Sequence, residues 1–214
     1  FEQIMSSGWH LHQSLVDLKT GANAFMRDAP ASGTTAKDAT HTLSALGAHY
    51  LAGLLAHANG AAVLCTPTAN GYARFQPNAL APQSVVWGRD NRGAMLRVIG
   101  GAHDASTRIE NRLGEPAANP YLYLASQIHA GLAGIEGALE APPATESPYD
   151  DAAQRIPNSL GTAISAFEAD TAMRNGFGEA FIKYYAQLKK AEFARFEAAT
   201  DKTDFQRREY FSRL

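Results

Sequence analysis

The chain has 214 residues, enough for one well-packed domain or a large piece of one. Nineteen Lys and Arg against 21 Asp and Glu leave a formal charge of −2, which gives no basic field for nucleic acid and no acidic tail. Cys65 stands alone, so a disulfide framework is excluded and a reducing compartment is expected. The longest apolar run, residues 50–64, is broken by His57, Asn59 and Gly60 and is too short to cross a bilayer. With no signal peptide visible, the expectation is a soluble, cytoplasmic protein without a membrane partner.

Residues 7–15 alternate as a short strand, with His10 and His12 on one face and Trp9 and Leu11 on the other. Residues 19–39 read as a surface loop, broken by Gly21, Pro30 and Gly33. A helix is predicted over 36–58, with an apolar stripe of Leu43, Leu46, Tyr50, Leu51, Leu54 and Leu55 and a stop at Asn59-Gly60. His41, His49 and His57 recur along it with a drift of about 80° per step, and read as solvated or capping residues rather than ligands. Helix resumes over 61–65, and 70–82 is a loop with four breakers, Gly71, Pro77, Asn78 and Pro82. A strand carries Ala94, Leu96 and Val98 with Arg97 on its other face, and a second runs from Arg108 to Gly114. Asn119 caps a helix that has Pro120 at its first position, with Leu122, Ile128, Leu132, Ile135 and Leu139 as its buried side. Residues 141–157 form a Pro-rich loop. The tail is predicted as helix 160–174, stopped by Asn175-Gly176, then helix 178–199 with Phe181, Tyr184, Leu188 and Phe196 in the core and Lys189-Lys190 as a solvated patch.

The chemistry concentrates between Thr66 and Pro120. Arg108, Glu110 and Arg112 fall at every second residue with Ile109 and Leu113 between them, so a strand puts both guanidinium groups and the carboxylate on one face. Arg74, Arg92 and Arg97 lie nearby in sequence. Several arginines converging on one carboxylate is a costly arrangement unless anions sit among them. On the Arg108–Glu110–Arg112 stretch alone, a solvated face whose charges pair with one another remains an equal alternative.

Asn91-Arg92-Gly93-Ala94-Met95-Leu96-Arg97, Arg108-Ile109-Glu110-Asn111-Arg112 and Pro116-Ala117-Ala118-Asn119-Pro120-Tyr121, in this order, resemble the glutamine synthetase family, as does Ser7-Gly8-Trp9-His10-Leu11-His12-Gln13-Ser14 upstream. The resemblance is strong over residues 7–132 and weaker beyond, where Arg207-Arg208-Glu209-Tyr210-Phe211 resembles the family's C-terminus. It implies an α+β fold: a glutamine-synthetase-type catalytic domain with a curved antiparallel sheet flanked by helices. Residues 1–214 are expected to be the C-terminal part of that domain, with the N-terminal domain and the first metal-binding strands lying outside this sequence.

The family's reaction phosphorylates the γ-carboxylate of L-glutamate with ATP, after which an amine displaces the phosphate. The resemblance makes His10 and Glu110 ligands of one Mg²⁺ or Mn²⁺. It makes His12, Gln13 and Ser14 nucleotide contacts, and Arg92 and Arg97 holders of the ATP phosphates. Arg74 binds the glutamate α-carboxylate, and Arg112 lies at the γ-carboxyl. Arg92 and Arg112 are the residues expected at the transferring group, and stacked rings of a homo-oligomer, a dodecamer, are expected as the assembly. Tyr149 is near the place where some bacterial members are adenylylated, but its flanks differ and no modification is expected.

Two departures bear on the substrate. The glutamate that closes the family's site and helps deprotonate ammonium falls six residues after the substrate arginine, and here that place holds Leu80. Met5-Ser6 stand where the family has Asn-Gly. Leucine neither attracts a cation nor accepts its proton, so a larger, apolar amine is favoured, through burial worth up to ~2 kcal/mol. The run Arg74-Phe75-Gln76-Pro77-Asn78-Ala79-Leu80-Ala81-Pro82 resembles the γ-glutamylamide ligases, which use arylamines such as aniline, alkylamines or polyamines. Polyamines fit least, because residues 72–87 contain no acidic side chain. Glutamine synthesis with ammonia, and a catalytically dead structural member of the family, stay open. A metallohydrolase built on His10 and His12 is weakest, since no water-activating His or Asp set accompanies them.

Overall fold

The computed structural model describes residues 7–76, 81–149 and 152–211. Strands β1 (Leu11–Gln13), β2 (Trp87–Arg89), β3 (Leu96–Ile99) and β4 (Arg108–Asn111) form one sheet in the order β1-β4-β3-β2. β4 is antiparallel to both β1 and β3, while β2 runs parallel to β3. The sheet is therefore mixed rather than purely antiparallel. β2 escapes sequence analysis because three residues are too few to display an alternation. Register places His12, Glu110 and Arg97 in one row across three strands. Ile109, Leu96 and Val98 point the other way into the core, where each is buried.

Helices cover that apolar face. The predicted helix over 36–58 is three pieces: α1 (Ala39–Thr42), α2 (Ala45–Ala56) and α3 (Ala58–Cys65). Ser44 interrupts the first two and caps α2 by accepting from the Gly47 amide. The second break is at His57, so Asn59-Gly60 lies inside a helix instead of stopping one. Gly60 is there for proximity: a Cβ on it would stand 2.4 Å from the Asp170 carboxyl. His57 Nδ1 lies 3.0 Å from Asp170 Oδ2, and His49 Nδ1 lies 2.7 Å from the Leu139 carbonyl, so both histidines are tertiary ties rather than solvated groups. α2 is buried on nearly every side, as its alternation of Ala, Gly and Leu allows, although Leu46 of the predicted stripe is exposed. Residues 19–38 hold no helix or strand, but they carry Phe25, which is fully buried.

α4 (Pro120–Glu136) begins as predicted, the Asn119 side chain accepting from the Tyr121 and Leu122 amides. Its buried face is only partly the predicted one: Leu122 and Ile135 are half-buried against the core. Tyr123, Ser126, Gln127, Ala130, Gly131 and Gly134 face inward, while Ile128 and Leu132 are 48% and 41% exposed. The cause is backbone contact with α2. A Cβ on Gly53 would meet the Ala130 carbonyl oxygen at 2.2 Å, and one on Gly134 would meet the His49 carbonyl oxygen at 2.2 Å. Glycines admit this approach, and larger residues turn outward.

The tail is α5 (Leu160–Ala169), α6 (Thr171–Phe177), α7 (Glu179–Ala198) and α8 (Lys202–Gln206), ending in a π turn over Arg207–Phe211. The breaks fall at Asp170, whose side chain caps α6 through the Met173 amide, and at Gly178 with φ +80°. Asn175-Gly176 stays helical. On α7 the buried residues are Ile182 and Ala186; Phe181 is partly buried against the core, whereas Tyr184 and Leu188 are exposed. Lys189 is largely covered and bonds Glu192 at 2.8 Å, whereas Lys190 is solvent-exposed as expected and reaches Glu168 at 2.7 Å. Among the described residues no helix is long and apolar enough to cross a membrane.

Candidate active site

Glu110 is the centre of the polar face. It is almost fully buried at mid-strand in β4, and four side chains converge on it. Arg112 Nη1 donates to Oε1 at 2.9 Å and Arg97 Nη1 donates to Oε2 at 3.1 Å. His10 Nδ1 lies 3.0 Å from Oε1 and His12 Nε2 3.8 Å from it. Burial opposes the Glu110 charge, but the Arg97 bond and the charges of Arg112 and the two histidines outweigh it, holding the carboxyl below its ordinary range. Burial and then the Arg112 charge push His10 below the ordinary imidazole value, against the pull of Glu110, so a neutral ring is favoured. Arg97 also bonds Asp90 through Nε at 2.9 Å and through a second contact from Nη2.

The strand parity of β1 divides the predicted nucleotide contacts. His12 faces Glu110, and its Nδ1 accepts from Arg108 Nε at 3.1 Å, which places the ring proton on Nε2. Ser14 lies just beyond the end of β1 and is exposed. Gln13 points to the opposite face, where its Oε1 accepts from Tyr50 Oη at 2.8 Å and its Nε2 approaches Gln127 at 3.4 Å. It is a strut between β1, α2 and α4.

Arg74 ends a short 3-10 turn, Gly71–Arg74, and is buried. Its guanidinium donates to the Gly114 carbonyl at 2.6 Å and to the Leu113 carbonyl, and lies over the Phe75 ring at 5.0 Å. No carboxylate pairs with it among the described residues, and its Nε is buried without a hydrogen-bond partner. Gly8 joins it to the cluster, since a Cβ there would stand 2.7 Å from His10 Nε2 and 3.0 Å from Arg74 Nη1. Arg92 is exposed in the turn between β2 and β3, apart from the Glu110 contacts. Leu80, like Met5-Ser6, lies outside the described residues.

Three charged residues in this region carry no role in the sequence reading. Asp90 and Arg108 anchor Arg97 and His12, and Glu115 is a buried carboxylate bonded by Thr68. Arg108 is signalled by the two-residue alternation. Asp90 has no pattern, because its link to Arg97 arises only when β2 pairs with β3.

The His10–Glu110 pair suits a share in a divalent-cation site. Two cis ligands at ~2.1 Å from an octahedral ion stand about 3.0 Å apart, and the observed separation is 3.0 Å. A neutral imidazole beside an ionised carboxylate is the donor set such an ion takes. Among the described residues no group of three or more His, Cys, Asp or Glu side chains forms a complete metal cage, so the remaining ligands must come from substrate oxygens, water or elsewhere. The surrounding arginines equip the same face for carboxylates and phosphates.

An α+β frame thus gathers two imidazoles, one buried carboxylate and several arginines on one sheet face, a donor set that suits anions and a divalent cation. The family model for the glutamine synthetase catalytic domain matches residues 1–208, and the chain belongs to that family. It is 43% identical to a γ-glutamylanilide synthase from Acinetobacter sp. over 98% of this chain and 42% of that protein. It is 35% identical to the γ-glutamylethanolamide synthetase GlnA4 of Streptomyces coelicolor, over all of this chain and 43% of that protein. A glutamine synthetase from Thermus thermophilus is 34% identical over 89% of this chain and 42% of its own length. The solved structure of apo GmaS without ligand superposes with a TM-score of 0.77 at 30% identity, covering 99% of this chain and 46% of that one. A GmaS/ADP complex gives 0.75 at 30% identity, covering 96% and 46%. The chain thus spans less than half the length of these relatives.

Proposed function

We propose that this chain supplies part of the active site of an ATP-dependent ligase that joins the γ-carboxylate of L-glutamate to a small organic amine, an arylamine such as aniline or an alkylamine. The observation that carries the reading is the convergence of Arg97, Arg112 and His10 on buried Glu110, with buried Arg74 close by and in no direct ion pair among the described residues. Similarity to the two γ-glutamylamide-forming relatives supports the amine as acceptor.

In this reading Arg74 takes the α-carboxylate of glutamate, and Arg112 orients the γ-carboxylate toward ATP. Arg97 and Arg92 hold the phosphates, and His12 and Ser14 face the nucleotide, with Gln13 setting the height of β1 beneath them. A glutamate oxygen takes the γ-phosphoryl group and ADP leaves. The amine nitrogen then attacks the acyl carbon, the carbon–oxygen bond to phosphate breaks, and the nitrogen gives up a proton. His10 and Glu110 would hold a Mg²⁺ or Mn²⁺ ion, which supplies neutralisation of the phosphate charge. A homo-oligomer, a dodecamer, belongs to the same proposal.

Leu80 sets the choice of amine. An arylamine is neutral at pH 7 and needs no acidic residue to strip a proton before attack, whereas ammonium does. In competition assays at fixed ATP and glutamate, the whole protein is expected to show a higher kcat/KM for aniline or a short alkylamine than for ammonium. Leu80→Glu is expected to move that ratio toward ammonium by ~1–3 kcal/mol, the usual worth of one pocket contact. A wild-type preference for ammonium would make the protein a glutamine synthetase with an unusual loop. An unchanged ratio in Leu80→Glu would remove Leu80 from the account of specificity and leave the reaction intact.

A further inference from the structure

Glu115 is a buried carboxylate without an ion pair among the described residues, placed two residues beyond Leu113, whose carbonyl holds Arg74. Its oxygens are taken by one residue. Oε1 accepts from the Thr68 amide at 3.0 Å and from Thr68 Oγ1 at 2.9 Å, and Oε2 lies 3.1 Å from the same hydroxyl. Thr68 Oγ1 in turn accepts from the Gly71 amide at 3.0 Å. Gly71 opens the turn that ends at Arg74, and a Cβ on it would stand 2.3 Å from Glu115 Oε2, so the carboxylate fills the place a side chain would take at the start of the turn.

The two segments are thereby closed at both ends. At one end the Glu115 amide donates to the Cys65 carbonyl at 3.0 Å and its carboxylate grips Thr68. At the other, Arg74 bonds the carbonyls of Leu113 and Gly114. Thr66 Oγ1, donating to the Leu113 carbonyl at 2.9 Å, fixes the spacing between them. Burial pushes the Glu115 carboxyl up and the Thr68 bonds pull it down, with Arg74 and Lys189 the positive charges nearest in effect. Among the described residues the side-chain hydrogen bonds of this carboxylate all go to Thr68, which ties it to the turn that carries Arg74.

We infer that Glu115 is a positioning residue for glutamate recognition, locking the Thr68–Gly71 turn so that Arg74 presents its guanidinium at one fixed place. The inference rests on the proposed role of Arg74 toward the α-carboxylate. Misplacing a recognition group by a fraction of its reach costs binding of the group it recognises and spares the rest of the substrate set.

The test compares Glu115→Ala, Glu115→Gln and Thr68→Val in the whole protein. Glu115→Ala is expected to raise the KM for glutamate about tenfold or more, with the KM for ATP changed less than about threefold. Glutamine keeps an acceptor for the Thr68 amide and a donor for its hydroxyl, so Glu115→Gln should recover most of the loss. Thr68→Val should copy the alanine variant, and the double variant should be no worse than either single one. Independently of turnover, hydrogen exchange should speed at the amides of Gly71 and Phe75 in Glu115→Ala while the Tyr123 amide of α4 stays protected. An unchanged KM for glutamate with unchanged exchange at Gly71 would overturn the inference, as would KM values for ATP and glutamate rising together. If the wild type shows no glutamate-dependent turnover, the proposed reaction fails and the exchange comparison alone decides the role of Glu115 in the turn.

Discussion

Replacing Glu110 by alanine in the whole protein is expected to lower turnover by ~10³-fold or more, because one carboxylate organises both the proposed cation and the arginines around it. Arg112 and Arg97 each lose a charged hydrogen bond, and His10 loses its partner. Removing one member of a buried charge cluster costs about 3 kcal/mol, toward the lower end of the usual range, since Arg97 retains Asp90. The stability share has a definite sign with pH. Glu110 is held below its ordinary range, so its contribution is present above the unfolded carboxylate value and fades as pH falls through the lower folded one. Glu110→Gln separates the two losses, keeping the shape and one acceptor while removing the charge. Turnover measured from limiting to saturating Mg²⁺ checks the site, and equal activity of wild type and alanine variant at limiting Mg²⁺ would take Glu110 out of it.

A second large effect belongs to the helix pair behind the sheet. Gly134→Val should destabilise the protein by about 3 kcal/mol or more, because side-chain atoms would enter a backbone-to-backbone contact with no room to relax. The nearest obstacles are the His49 carbonyl oxygen at 2.2 Å and the Gly53 Cα at 2.6 Å from a Cβ at that position. Leu132→Ala, two residues earlier on an exposed face of the same helix, should stay within ~0.5–1 kcal/mol. Thermal or denaturant unfolding of both variants decides the matter. A larger loss at Leu132 than at Gly134 would mean that α4 packs by its leucines, as the apolar spacing alone suggests.

That contrast explains how far the sequence could be read. The polar face around Glu110 was legible because strand parity is local: Arg108, Glu110 and Arg112 alternate, and His10 and His12 alternate, so each set falls on one side before any tertiary contact is known. Asn119 and Pro120 were equally local and begin α4 where predicted. Apolar spacing served over residues 43–55, where Leu43, Tyr50, Leu51, Leu54 and Leu55 are all buried, and failed on α4. α4 meets Tyr50 and Gly53 of α2 through Gly131 and Gly134, and a stripe drawn through Ile128 and Leu132 points away from that contact. Gly60 and Gly176 look like helix stops and are instead places where Asp170 and His129 come close. Gln13 shares a motif with His12 but faces the opposite side of the sheet, because neighbours on a strand diverge. Asp90 and Glu115 act through residues far from them in sequence or on another segment, so no spacing announces them.

The central claim is the reaction itself, and product formation tests it most directly. The whole protein, incubated with ATP, Mg²⁺, L-glutamate and aniline, or a short alkylamine in its place, should yield the corresponding γ-glutamylamide by mass spectrometry, with one ADP and one phosphate for each amide formed. Omission of glutamate or ATP should abolish the product, and ammonium should support less amide than the organic amine. Formation of glutamine from ammonium with no amide from any organic amine, or no glutamate-dependent ADP release at all, would contradict the account.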